Sequence, residues 1–129
     1  MKAGCGRKIW LKPTVSRWRG CVPAKRISVK SAMTSSPLQV AIIGAGQVAD
    51  KVHASYYCTR DDLELVAVCD SRLSQAQALA DKYGSALVWS DPEKMLHDVQ
   101  PDIVSVCSPN RFHYEHAMMA LKAGCHVMV

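Results

Sequence analysis

The feature that most constrains the fold is a glycine-rich turn between an apolar run and a helical segment. Leu38–Ile43 (LQVAII) is rich in aliphatic and β-branched residues, which is typical of a buried parallel strand. The string GAGQVA follows at residues 44–49, and residues 47 to about 59 predict a helix. Two glycines allow a tight turn out of the strand, and Ala49 is small enough for the helix to pack closely on the sheet.

The same alternation of strands and helices continues along the sequence. Further strands are predicted at residues 65–69, 86–89, 102–107 and 126–129, and further helices at residues 73–83, 92–98 and 110–123. Strands that alternate with helices at this spacing form right-handed βαβ units on a parallel sheet. The predicted fold class is therefore α/β, a doubly wound parallel sheet of the Rossmann type.

The turn and the second strand together match the fingerprint of a dinucleotide-binding site. Gly44 permits the tight turn, and Gly46, which has no Cβ, lets a pyrophosphate approach the amides at the helix N-terminus. Gln47 and Val48 open that helix and are counted with the cofactor-binding residues. Asp70 lies 24 residues after Gly46, at the end of the second strand, where it can accept hydrogen bonds from the adenosine ribose. Two glycines alone could be an ordinary strand-to-helix connection, and the position of Asp70 favours the cofactor site.

The predicted cofactor is NAD, with NADP as the alternative. The Asp70 carboxylate should repel the 2′-phosphate that distinguishes NADP from NAD. Arg72, two residues further on, could pair with that phosphate, stack on the adenine, or be a solvated charge at the start of a helix. The sequence is compatible with each of these three roles of Arg72.

Residues 1–37 differ sharply from the rest of the sequence. They hold nine Lys or Arg and no Asp or Glu, whereas residues 38–129 hold seven basic and eleven acidic residues, so the net charge of +5 arises in the first segment. We expect a basic, disordered leader here, with an organelle transit peptide as the alternative. A nucleic-acid-binding arm built on Trp10 and Trp18 has little beyond charge in its favour, so no nucleic-acid partner is predicted.

The remaining composition narrows the class of protein. Six cysteines form no C-x-x-C pair, which argues against a zinc site or a disulfide framework and favours a reducing, cytoplasmic compartment. No apolar run approaches the ~20 residues of a membrane span, so no membrane partner is expected. His113, Glu115 and His116 lie close together without a further ligand, so no metal is predicted.

Two motifs in the last part of the sequence carry a more specific signal. Ser108-Pro109-Asn110 is followed after two residues by His113, and the string ALKAGCHV occupies residues 120–127. In this order and spacing the motifs resemble the Gfo/Idh/MocA family of oxidoreductases, and the likeness covers about residues 38–129. The resemblance implies that Ser108, Pro109 and Asn110 line the ribose and nicotinamide side of the cofactor. His113 would lie near the same cleft or be a helix-start histidine satisfied by backbone.

The resemblance also implies an activity and a limit. The family oxidises or reduces CH–OH groups of sugar-like or cyclic polyol substrates with NAD(P). In the family, a Glu-Lys-Pro motif with a catalytic lysine follows the fifth strand, and a substrate domain comes after it. The sequence ends at Val129, so we expect residues 38–129 to be an incomplete dinucleotide-binding domain with the substrate domain absent. We therefore predict no catalytic residue in this chain, cofactor binding without turnover, and a polyol or sugar substrate only for a full-length form.

Two other functions stay open at this stage. A regulator of the same fold would use the nucleotide site for sensing and not for catalysis. A methyltransferase would also use a nucleotide-binding α/β fold, but the Ser-Pro-Asn-x-x-His motif argues against it. We further expect the face meant for a second domain to be apolar and exposed, which favours association of copies into a homo-oligomer.

Overall fold

The structure is a computed structural model that describes residues 36–84 and 87–129. The expectations for a disordered or targeting leader, and for Ala86 as a strand residue, therefore fall outside the described residues. Five strands form one parallel sheet in the order β3-β2-β1-β4-β5. Their bounds are β1 Leu38–Ile43, β2 Leu63–Cys69, β3 Leu87–Trp89, β4 Ile103–Val106 and β5 His126–Met128.

The strand order confirms the doubly wound fold. The chain passes outward from β1 to β3 and then crosses to β4 on the other side of β1. Ile43, the last residue of β1, stands opposite Cys69 in β2 and Val106 in β4. The loops that leave these three strands therefore start at one edge of the sheet, and those of β1 and β4 diverge, which is where doubly wound sheets bind ligands.

Four helices connect the strands. They are α1 at residues 47–57, α2 Leu73–Tyr83, α3 Pro92–Val99 and α4 His113–Lys122. A single helix was predicted from residue 110, but Asn110–Phe112 is a 3₁₀ turn that leads into α4. It is tighter because the Phe112 N–H donates to the Pro109 carbonyl at 2.8 Å, an i→i+3 bond.

The middle of α1 departs from the predicted α-helix. Ala49–Ala54 has the wider π-helical conformation, and Ser55–Tyr57 returns to α. Ala49 and Ala54 are both fully buried and lie five residues apart, which is the spacing of the i→i+5 hydrogen bonds of a π-helix. A regular α-helix would present residues three or four apart to the sheet, so the two alanines could not both face it in the same way.

Side chains of β1 alternate between two cores, one on each face of the sheet. Val40 and Ile42 pack with α1 and α2, whereas Ala41 and Ile43 pack with α3 and α4. On the first face the buried Tyr57 of α1 forms a hydrogen bond with Ser105 of β4, which is also fully buried. This bond fixes α1 against the centre of the sheet.

The start of α3 follows its sequence signal. Asp91 is the N-cap residue, and its Oδ1 accepts hydrogen bonds from the N–H groups of Glu93 at 3.0 Å and Lys94 at 3.3 Å. Pro92 occupies the first helical position, where its missing N–H costs nothing. Gly84 ends α2 with φ of 77°, a left-handed conformation that suits glycine. The predicted start of α3 at residue 92 and the predicted end of α2 at residue 83 are thus confirmed.

Candidate cofactor-binding site

Gly44 lies where the ends of β1, β2 and β4 meet. Its N–H donates to the Cys69 carbonyl at 2.7 Å, and its φ is +100°. A Cβ at this position would lie 2.5 Å from the Ser108 nitrogen and 2.6 Å from the Cys107 carbonyl carbon. Both the conformation and the close approach of the β4 loop therefore require glycine here.

Gly46, unlike Gly44, borders open space. A Cβ at this position would meet no heavy atom within 4 Å, so the fold itself leaves room for a side chain. The open space adjoins the first turn of α1, where the Asp50 N–H donates to the Gly46 carbonyl at 3.1 Å. Amides at the start of a helix attract anions, so this space fits a phosphate group that must come close to backbone.

Asp70 is bound to the glycine turn. Its Oδ2 accepts a hydrogen bond from the Ala45 N–H at 2.8 Å, and its Oδ1 accepts one from the Arg72 N–H at 2.8 Å. The side chain is only 12% exposed, whereas that of Arg72 is 70% exposed. An ionised carboxylate has about four acceptor positions, so Asp70 can still accept bonds from a ribose.

A cleft of about 440 Å³ opens at the carboxyl ends of β1, β2 and β4. We call it the cofactor cleft. Five of the cofactor-binding residues predicted from the sequence or the resemblance line it, whereas Asn110, which follows Pro109, does not. Its lining includes Gly44, Asp70, Arg72, Ser108, Pro109, Arg111, Phe112 and His116. Its position matches the divergence point of the sheet.

The loop after β4 is held by two histidines. His113 Nε2 donates to the Ser108 carbonyl at 2.6 Å; a carbonyl can only accept, so this nitrogen carries the proton. His116 Nδ1 lies 2.9 Å from the Ser108 Oγ. The structure thus brings Ser108 and Pro109 to the cleft, whereas His113 is bonded to backbone. Asn110 is an exposed residue of the 3₁₀ turn and does not line the cleft.

Arg111, Phe112 and His116 also line the cleft wall, and none of them was among the cofactor-binding residues predicted from the sequence. The Phe112 and His116 rings stack with centroids 5.7 Å apart and an interplanar angle of 25°. The Arg111 guanidinium lies 4.7 Å from the Phe112 centroid. Burial lowers the pKa of His116 below its ordinary value, so the ring favours its neutral form. The i, i+4 spacing of Phe112 and His116 was the available signal.

A second cleft of about 450 Å³ lies between the glycine turn and α2, and we call it the α1–α2 cleft. Gly46 and Gln47 line it, as do Arg72, Asp50 and Lys82. The Lys82 Nζ lies 2.6 Å from Asp50 Oδ1, and the Tyr83 hydroxyl donates to the same oxygen at 2.7 Å. The hydrogen bond from Lys82 and, as a smaller cause, the one from Tyr83 hold the pKa of Asp50 below its ordinary value.

One predicted cofactor-binding residue lies outside both clefts, and two buried cysteine thiols are unreactive. Val48 is 57% exposed and lines neither cleft. Burial raises the pKa of the Cys69 thiol to about 12 and that of Cys107 to about 11, so neither is a nucleophile at neutral pH.

Within residues 36–84 and 87–129, no three His, Cys, Asp or Glu side chains are grouped as metal ligands. Over the same part of the chain, no helix has the length and apolar character needed to cross a membrane.

Comparison with known proteins decides the family. A family model described as an oxidoreductase family with an NAD-binding Rossmann fold, Gfo/Idh/MocA, matches residues 38–129. The chain belongs to the Gfo/Idh/MocA oxidoreductase family. The resemblance seen in the sequence is thus confirmed, and with it the nicotinamide dinucleotide as the class of cofactor for this Gfo/Idh/MocA domain.

Two of the relatives that this chain is similar to are named as dehydrogenases of a glucoside and of a cyclic polyol. D-glucoside 3-dehydrogenase of Escherichia coli (strain K12) is 84% identical over 100 residues, which are 78% of this chain and 28% of the relative. Myo-inositol 2-dehydrogenase of Thermotoga maritima is 30% identical over 90 residues, 70% of this chain and 27% of the relative.

A solved structure has the same fold. Scyllo-inositol dehydrogenase from Lactobacillus casei, with bound NAD(H) and scyllo-inositol, matches with a TM-score of 0.65 and 27% identity over 71% of this chain and 27% of that one. The chain therefore spans less than a third of the length of these Gfo/Idh/MocA proteins.

Proposed function

We propose that residues 38–129 bind NAD(H) in the cofactor cleft and along the glycine turn that borders it. We also propose that the full-length protein is an NAD-dependent dehydrogenase of ring hydroxyl groups in glucosides or related cyclic polyols. The open space at Gly46 carries the proposal for binding. No protein atom would stop a side chain there, so the folded chain itself does not require glycine at this position. A pyrophosphate that contacts the backbone does require it.

Each part of the cofactor has residues that suit it. The amides of Gly46 and Gln47 hold the pyrophosphate, favoured by the positive end of the α1 dipole. Asp70 accepts bonds from the adenosine ribose with the acceptor positions that its two backbone bonds leave. Arg72 borders the adenosine from the β2 side and Pro109 from the β4 side.

The residues after β4 act as a supporting loop. His113 holds the Ser108 carbonyl, and His116 holds its hydroxyl. We propose that Ser108 and Pro109 contact the cofactor directly, whereas Asn110 begins the turn that sets the path of the loop. Loss of the His113 bond would then loosen the cleft wall without removing a cofactor contact.

The substrate class rests on the relatives. The names D-glucoside 3-dehydrogenase and myo-inositol 2-dehydrogenase both specify a ring position that bears a hydroxyl. Bound NAD⁺ supplies the hydride acceptor for oxidation of such a hydroxyl. The described residues of this chain hold and orient the cofactor, and we assign no proton transfer to any of them.

Calorimetric titration of the 129-residue chain tests the binding proposal. We expect saturable 1:1 binding of NAD⁺ and no heat from S-adenosylmethionine. Binding of S-adenosylmethionine in place of NAD⁺ would overturn the assignment to this cofactor. Formation of NADH from NAD⁺ and a methyl glucoside by the full-length protein tests the activity, and we expect the 129-residue chain alone to form none.

A further inference from the structure

The α1–α2 cleft lies beside the cofactor cleft, and the two share a wall. Arg72 lines both of them. Ala45, which lines the α1–α2 cleft, donates its N–H to Asp70 Oδ2 at 2.8 Å. If Asp70 binds the adenosine ribose, as the proposed function has it, the α1–α2 cleft is the neighbouring space open to a group on the ribose 2′-oxygen.

The charges of the α1–α2 cleft are partly paired. Its lining includes two cations, Arg72 and Lys82, and one acid, Asp50. The Lys82 ammonium lies 2.6 Å from Asp50 Oδ1, with the two side chains 55% and 31% exposed. Arg72 in turn has its Nε 4.0 Å from Asp70 Oδ1. Each cation that could meet a phosphate therefore has a carboxylate beside it.

We propose that Asp50 is a selectivity residue that favours NAD over NADP by pairing with Lys82. The cleft has the volume and the cations for a phosphate monoester, but the ion pair engages the ammonium that would otherwise bind it. The carboxylate also adds to the repulsion that Asp70 exerts on a 2′-phosphate, which carries close to two negative charges. The inference rests on the proposed function, because it needs the ribose to lie at Asp70.

A set of four variants of the 129-residue chain tests this role: Asp50→Asn, Lys82→Met, the double variant, and Asp62→Asn. Asp62 is the matched control, because it is an exposed aspartate paired with Arg60 at 2.7 Å but lies outside both clefts. The dissociation constants of NAD⁺ and NADP⁺ are measured by calorimetry at low salt, since salt screens surface charges.

The ratio of the NADP⁺ constant to the NAD⁺ constant is the readout. We expect Asp50→Asn to lower this ratio about three- to tenfold, since it frees Lys82 for the phosphate. The double variant should return toward the wild-type ratio because the freed cation is gone. Lys82→Met should raise the ratio, since Asp50 then lacks its counter-ion, and Asp62→Asn should leave it unchanged.

Contrary results are distinguishable. If Asp50→Asn weakens both cofactors equally, Asp50 only supports the fold near the turn and the inference is wrong. A double variant that keeps the gain, or a Lys82→Met ratio that stays level or falls, shows that Lys82 is not the partner of the phosphate. The Lys82→Met result decides the matter even if Asp50→Asn does not fold. Failure of the wild-type chain to bind NAD⁺ at all would instead contradict the proposed function.

Discussion

The two glycines of the turn should respond oppositely to the same substitution. Gly44→Ala places a Cβ 2.5 Å from the Ser108 nitrogen and 2.7 Å from the Cys107 oxygen, at a φ of +100°. Gly46→Ala places a Cβ where no heavy atom lies within 4 Å. The first change should therefore damage the fold, and the second should damage only the binding of the cofactor.

The magnitude follows from two separate costs at Gly44. A non-glycine residue held in a sparsely populated backbone region costs about 1–3 kcal/mol. Forcing a methyl group against packed backbone costs about 1–3 kcal/mol more. The sum of ~2–6 kcal/mol is a large part of the 5–15 kcal/mol that stabilises a typical domain. With ~4–8 °C of Tm per kcal/mol for a domain of this size, we expect Tm to fall by about 10 °C or more.

Gly84→Ala separates the two costs. Gly84 also has a positive φ, +77°, but a Cβ there meets nothing within 4 Å. Only the backbone cost applies, so we expect a loss of about 1–2 kcal/mol. The difference between the Gly44 and Gly84 variants then measures the collision with the β4 loop.

Urea unfolding followed by circular dichroism, together with NAD⁺ titration, supplies both readouts. Gly46→Ala should stay within ~0.5 kcal/mol of wild-type stability, yet bind NAD⁺ at least about tenfold more weakly. The reasoning is refuted if Gly44→Ala is no less stable than Gly84→Ala. It is equally refuted if Gly46→Ala binds NAD⁺ as well as the wild type does.

Three further predictions concern stability, pH and reactivity. Asp91→Ala removes the acceptor of two N–H groups at the start of α3 and should cost about 1 kcal/mol in urea unfolding. Because burial lowers the pKa of His116 from its ordinary 6.5, the unfolded chain binds a proton first as the pH falls. Stability should therefore be retained above pH 6.5 and lost below it, and His116→Gln should flatten this loss in urea midpoints measured across the range. Cys69 and Cys107, with pKa values of about 12 and about 11, should resist iodoacetamide in the folded protein at mildly alkaline pH and react once unfolded, as peptide mass spectrometry will show.

The order of strands and helices could be predicted because each element has a clear local signal. Apolar runs such as Leu38–Ile43 mark the buried strands, and Asp91-Pro92 marks a helix start. The π conformation of Ala49–Ala54 could not be predicted in this way, since it reflects which side chains fit between α1 and the sheet. The start of β2 at Leu63, two residues earlier than predicted, likewise depends on pairing, because Leu63 stands opposite Leu38.

Site residues could be predicted from the sequence only where the end of a strand determines their position in the fold. Gly44 and Asp70 directly follow two adjacent strands, so their proximity is expected in a parallel sheet. His113 shares a motif with Ser108, but its ring turns back to the Ser108 carbonyl, a bond that the motif does not reveal. Phe112 and His116 reach the cleft because α4 begins beside it, which depends on the path of the loop after β4.

Asp70 belongs to the dinucleotide-binding motif, but it also has a structural role in the fold. Its two bonds to the Ala45 and Arg72 N–H groups lie within the protein, so they fix the carboxylate independently of any ligand. A fixed acceptor loses less entropy when a ribose binds, so the same bonds favour the cofactor. Gly44 is likewise required by the contact with the β4 loop. Of these three residues, Gly46 alone has no task in packing that the structure shows. A sequence of this fold that keeps Gly44 and Asp70 but replaces Gly46 should therefore retain the sheet and the turn while losing the dinucleotide.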